Sequence, residues 1–199
     1  MRARILAIIG ILLLSSCVPW KGKAVNPDPN HTHADFAVWI EDMQVNFARP
    51  QFMSGVSTDE TSHDEEGEYL HKYFHLHDGN GHVMHSHKPG QTVADFFASL
   101  GMELTKNCFR LDHDHADCTG KAGTLRMFVN GREVPVNPEY SFQDLDKILI
   151  IFTSNEANVQ AALGKMTSDA CRYSQTCPER GKPPAENCVA DPEVPCVEP

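Results

Sequence analysis

The chain has 199 residues, of which 11 are histidine and seven are cysteine, and its formal charge is −10 with histidine counted neutral. So acidic a chain does not seek nucleic acid or anionic lipid headgroups through its net charge, although an acidic surface does concentrate cations. The roughly 180 residues beyond the first apolar run are enough for one domain with a proper core and appendages.

Arg2 and Arg4 precede an apolar run over residues 5–14 that is too short to span a bilayer comfortably. The tetrapeptide Leu14-Ser15-Ser16-Cys17 resembles the lipobox of bacterial lipoproteins: an apolar residue, two small ones, then cysteine. The resemblance implies removal of residues 1–16 as a signal peptide and acylation of Cys17. The chain would then be held on the extracytoplasmic face of a bacterial membrane, in the cell envelope. An ordinary secretory signal with an incidental cysteine is the alternative. Loss of residues 1–16 removes two arginines and no acid, which takes the charge to −12. Residues 17–30 carry three prolines and no apolar periodicity, and read as a linker.

The domain is expected over residues 31–168. Phe36, Val38 and Ile40 share one face of a strand, and a second strand over 44–47 returns after "EDM". Residues 49–68 read as a long acidic loop. The stretch "HLHDGNGHVMHSH" over 75–87 reads as a β-hairpin. Thr92 with Asp95 then caps a helix whose buried face is Phe96, Phe97 and Leu100 and whose end is Gly101. Strands follow at 108–111 and Thr124–Val129, and Asn130-Gly131 turns the latter into 133–136. "DKILIIF" (146–152) reads as a buried central strand, and Thr153 with Glu156 opens a last helix. This order predicts an α+β, β-grasp-like sheet with one packed helix and a disulfide-rich tail over 169–199. A cupin-like or jelly-roll barrel is the alternative, because such barrels also carry His-x-His on strands.

With Cys17 acylated, six cysteines remain, an even number suited to three disulfides in an oxidising compartment. Cys108 and Cys118 bracket a short loop and are expected to pair; Cys171, Cys177, Cys188 and Cys196 pair among themselves in one of three ways. There is no Cys-x-x-Cys, so disulfide exchange is poorly supported.

The histidines are the most specific feature. Chance would give roughly one His-x-His pair by simple counting, yet there are four: His31/His33, His75/His77, His85/His87 and His113/His115. On a strand, residues i and i+2 face the same way about 6.5–7 Å apart, close enough for two imidazoles to reach one metal ion. In the hairpin the odd positions carry imidazole while Phe74, Leu76 and Met84 are apolar. An odd-length loop sets His75 opposite His85 and gathers all four imidazoles on one side, whereas a two-residue loop at Gly79-Asn80 would bury half of them. "HTHAD" repeats the pattern: His33 and Asp35 lie opposite Phe36, and Asp35 could be a ligand or a carboxylate that orients a ring. His31 continues that face into the linker, and if these strands are neighbours, His33, His75, His77, His85 and His87 could meet.

His113 and His115 sit among Asp112, Asp114 and Asp117, and form a second metal site, a lid ligand for the first, or a solvated acidic turn. The isolated His63, His71 and His82 read as surface residues. A solvated, pH-responsive histidine face is the bland alternative for the hairpin. Imidazole with some carboxylate and no free thiolate suits Zn²⁺ or Cu²⁺, while Met43, Met53 or Met84 could add a soft ligand for Cu⁺.

The ordered set "HTHADF", "HLHDGNGHVMHSH", "DFFASLGM", "FVNGREV", "DLDKILI" and "CPERGKPPAENC" resembles a group of small, uncharacterised, His-rich bacterial envelope proteins, over residues 31–188. The resemblance implies one compact domain. Disulfide isomerisation, attributed to some of that group, would need the Cys-x-x-Cys that is missing here.

Three functions compete. The first is a lipid-anchored metal-binding protein that buffers, senses or delivers zinc or copper. The second is a zinc-dependent hydrolase or lyase, with three imidazoles on the metal and Asp35, Asp78 or Asp114 as base. The third is a structural or interaction module of the envelope with an unknown protein partner.

Overall fold

The computed structural model describes residues 24–28, 30–53 and 73–183. Among the described residues, ten strands and three α-helices make a mixed α+β fold. The strands are β1 (Thr32–Ile40), β2 (Met43–Gln44), β3 (Phe74–His75), β4 (Val83–Ser86), β5 (Glu103–Leu104), β6 (Cys108–Arg110), β7 (Ala116–Cys118), β8 (Thr124–Val129), β9 (Arg132–Val134) and β10 (Lys147–Thr153). The helices are α1 (Val93–Ser99), α2 (Glu156–Gly164) and α3 (Ala170–Tyr173). The main sheet runs β3-β4-β1-β10-β8-β9, with β2 added to β1; β5, β6 and β7 form a smaller second sheet. The first and last long strands, β1 and β10, lie parallel at the centre, and every other pairing is antiparallel. This central parallel pair with a helix across it is the β-grasp-like arrangement. The strand path has two ends, at β3 and β9, and does not close into the alternative barrel.

Alternation along β1 sorts the two faces. Ala34, Phe36 and Val38 enter the larger core, where α1 lays Val93, Phe96 and Phe97 against them with Phe74, Leu76, Met84, Ile148 and Ile150. Each such large side chain contributes about 1.5–3 kcal/mol of burial. The opposite face divides in two. Ala37, Trp39, Leu149 and Ile151 pack beneath Val159 and Ala162 of α2. His33 and Asp35, farther back on the same face of β1, lie under α3.

Local signals account for most boundaries. Thr92 and Asp95 form the expected reciprocal cap on α1, and Gly101 follows it at φ +73°. Asn130 and Gly131 both take positive φ in the tight β8–β9 turn, as Asn-Gly turns do. Two expectations need correction. The strand expected over 44–47 pairs only at Met43–Gln44. The cap of α2 is Asn155, whose side chain accepts from the Ala157 amide; Thr153 instead accepts from Asn155 and Asn158. The tail contributes α3, whose Ala170 and Tyr173, with the following Ser174, are buried against the sheet. Cys108–Cys118 and Cys171–Cys177 are disulfides, which form and persist in an oxidising, extracytoplasmic compartment. Among the described residues no helix is long and apolar enough to cross a membrane. Cys17, His63, His71, Cys188 and Cys196 lie outside the described residues.

Candidate metal centre

The hairpin has the odd loop that its apolar alternation requires. His75 faces His85, and Phe74 faces Ser86, across β3 and β4. Asp78 and Gly79 turn the chain with positive φ at both positions. Gly81 is needed for a different reason: a Cβ there would stand 2.2 Å from the Ala48 amide nitrogen. Strand β4 also pairs with β1, where His33 faces His85. Three neighbouring strands therefore set His33, His85 and His75 in one row across the sheet.

His31, His87 and His77 complete the group. Ring centroids run 4.4 Å from His31 to His33, 4.7 Å on to His85, 4.2 Å to His77 and 5.3 Å to His75. From His75 it is 4.5 Å to His87, and from there 3.9 Å back to His31. The six imidazoles thus form a closed circuit, with His75 and His85 also stacked across it at 5.2 Å. Three triads bring one ring nitrogen each within 4.8 Å of one another: His31/His75/His87, His31/His33/His85 and His75/His77/His85. Two nitrogens bound to one tetrahedral ion at ~2.1 Å lie ~3.4 Å apart. The His75 and His87 Nε2 atoms are already 3.2 Å apart.

These rings are not a solvated strand face. His33, His85 and His87 are 2%, 0% and 5% exposed. The ring of Tyr173, on α3, stands edge-on to His85 at 4.6 Å and contacts His33 and His77 at 5.7 and 5.6 Å. Its hydroxyl accepts from the Asn80 amide at 2.9 Å. The next residue, Ser174, donates its hydroxyl to Asp144 at 2.5 Å. With that proton committed, the Ser174 oxygen accepts from His33 Nδ1–H at 2.8 Å. This network assigns the His33 tautomer, so Nε2 is the nitrogen a metal would take. His77 is held the same way, donating Nδ1–H to Asp78 at 2.8 Å. Carboxylates that grip the outer nitrogen of a ring in this manner typically orient metal-binding histidines. Burial would raise the Asp144 carboxyl, but bonds from His33 and Ser174 outweigh it and hold its pKa below the ordinary value.

Asp35 has a different task from the one expected of it. Its buried carboxylate accepts from the Thr167 hydroxyl at 2.5 Å and from the backbone amides of Asp169 and Ala170 at 2.7 and 3.2 Å. It fastens the start of α3 over the cluster and belongs to none of the triads. His113 and His115 are also apart from the cluster: 100% and 71% exposed, they pair with Asp114 and Asp112 in their own loop. His82 is half-buried and binds Asp169 at 2.7 Å. Met84 is core, Met53 packs against it, and Met43 is exposed, so none of the three joins the imidazoles. Asp144, Tyr173 and Ser174 were not among the sequence candidates. They lie 88–141 residues from the rings they touch, and nothing local marks them. No family model, curated protein or solved structure matches the chain.

Proposed function

We propose that this chain is a metal-binding protein of the bacterial envelope, tethered by lipid on Cys17, which holds Zn²⁺ or Cu²⁺ for buffering, sensing or delivery. The observation that carries the reading is the circuit of six imidazoles drawn from β1, the β3–β4 hairpin and their flanks. Neutral imidazole suits zinc and copper. The described cysteines are in disulfides, and Asp78 directly, and Asp144 through Ser174, hold the outer nitrogens of ligating rings. Storage or transfer is favoured over hydrolysis because Tyr173 and α3 cover the cluster where a substrate would need to approach a metal-bound water. The half-buried His31, His75 and His77 leave a side by which an ion can enter.

Elemental analysis of the purified chain is expected to find stoichiometric zinc or copper. In calorimetry, His75→Ala with His85→Ala together should abolish stoichiometric binding; unchanged binding rejects the reading. The tether is tested separately by fractionation, in which Cys17→Ser is expected to release the protein from membranes. If the unsubstituted chain is already absent from the membrane fraction, there is no lipid anchor.

A further inference from the structure

We infer that the histidine cluster is a two-ion centre, one ion held by His31, His75 and His87 and a second by His33, His77 and His85. This rests on the metal reading above and goes beyond it in stoichiometry and in the division of ligands. Six imidazoles exceed what one tetrahedral ion takes, since structural sites use four ligands and open sites use three. Removing any one of the three triads still leaves three rings in a connected chain. The rings left beside the first triad, His33, His77 and His85, are not themselves one of the three groups of converging nitrogens. They are joined through His85, 4.7 Å from His33 and 4.2 Å from His77, and side-chain rotation on binding must bring His33 and His77 to one ion.

Two further observations choose this division from the others. The His75–His87 nitrogen separation of 3.2 Å already matches a shared ion, and the His31 ring is 3.9 Å from that of His87. On the other side, His33 and His77 are the two rings whose Nδ1 protons are given to Ser174 and Asp78. Both therefore present Nε2, both flank His85, and all three contact Tyr173. The first group has two ring nitrogens already at the spacing of a shared ion, and the second has two tautomers set by outer partners. Asp144 and Asp78, one behind each outer ring, supply negative charge beside a second dication.

The test is native mass spectrometry of the full chain titrated with Zn²⁺, with the circular dichroism of each variant checked for folding. Two ions per chain are expected, and two again for His113→Ala/His115→Ala. For His31→Ala/His87→Ala one is expected, retained by His33, His77 and His85. A single ion on the unsubstituted chain overturns the two-ion inference while leaving the metal reading intact; none overturns both. Loss of an ion in His113→Ala/His115→Ala would put the second ion on that loop and equally overturn the inference. With Cu²⁺ as the probe, two equivalents should give a spin-coupled electron paramagnetic resonance spectrum. Two magnetically isolated signals would separate the ions and reject a common centre.

Discussion

The chain writes the same signature, two histidines one residue apart, on the β4 strand and its exit and on the loop before β7, and the outcomes are opposite. His85 and His87 are buried among four other imidazoles. His113 and His115 point into solvent and reach only acids of their own turn. Spacing alone does not make a site. On a strand, i and i+2 share a face, and each paired neighbour adds its own alternate residues to that face. In a turn the same spacing has no such consequence, and each imidazole finds the nearest carboxylate.

The sharpest way to break this contrast is at His85, which lies at the centre of the row and belongs to two triads. His85→Ala is expected to weaken binding of the ion that His85 holds by at least ~100-fold, since loss of even an outer partner costs 10–100-fold, while the ion on His31, His75 and His87 stays. His115→Ala should leave the affinity unchanged. Calorimetric titrations of the two variants side by side would read the difference, and equal losses would erase the distinction between strand and turn.

Asp35→Ala comes next, and acts on stability before binding. It strands the Thr167 hydroxyl and two backbone amides that the buried carboxylate now satisfies. Unsatisfied buried donors cost about 1–3 kcal/mol each, and partial access of water puts the expected total at about 2–4 kcal/mol in urea unfolding. Metal stoichiometry should survive. A variant that keeps its stability and loses metal would restore Asp35 as a ligand.

These residues also show how far sequence could lead. The pairing of His75 with His85 was legible, because only one register keeps Phe74, Leu76 and Met84 in the core. So were the Thr92–Asp95 cap, the Asn130-Gly131 turn, the central strand and the Cys108–Cys118 bridge, all of which rest on neighbouring residues or on simple alternation. The cover was not legible. Asp35 meets its partners 132–135 residues away, and Tyr173 lies two residues after Cys171 in what reads as a polar tail. Only the folded sheet shows that this tail returns to close over the imidazoles. The small second sheet was half legible: its β6 strand was expected, but β5 is only two residues long and β7 lies at the end of the acidic stretch that reads as a loop.

The cover is sharpened as a third region by Cys171→Ser/Cys177→Ser. The bridge closes a short loop that carries Tyr173 and Ser174, and constraining a loop of that length is worth about 2 kcal/mol. The substituted protein should still bind metal, but release it to a chelator roughly tenfold faster in stopped flow, as a loss of ~1.4 kcal/mol in the covered state implies. An unchanged release rate would make Tyr173 a packing residue with no part in retention.

The smallest effect lies in the exposed loop. The hydrogen bond from His115 to Asp112, and then the charge of that carboxylate, raise the imidazole above its ordinary 6.5; the same hydrogen bond leads the causes that lower Asp112 below 3.8. A raised histidine contributes stability that is complete below 6.5 and fades as pH rises through its folded value. A lowered aspartate contributes above 3.8 and fades as pH falls through its own. The pair is therefore at full strength only between about pH 4 and 6.5. NMR titration should find the His115 ring titrating above 6.5, and Asp112→Asn should return it toward that value. One equivalent of Zn²⁺ should shift the ring signals of His75, His85 and His87 and leave His115 where it was. A His115 signal that moves with the others would join the two regions that the fold holds apart.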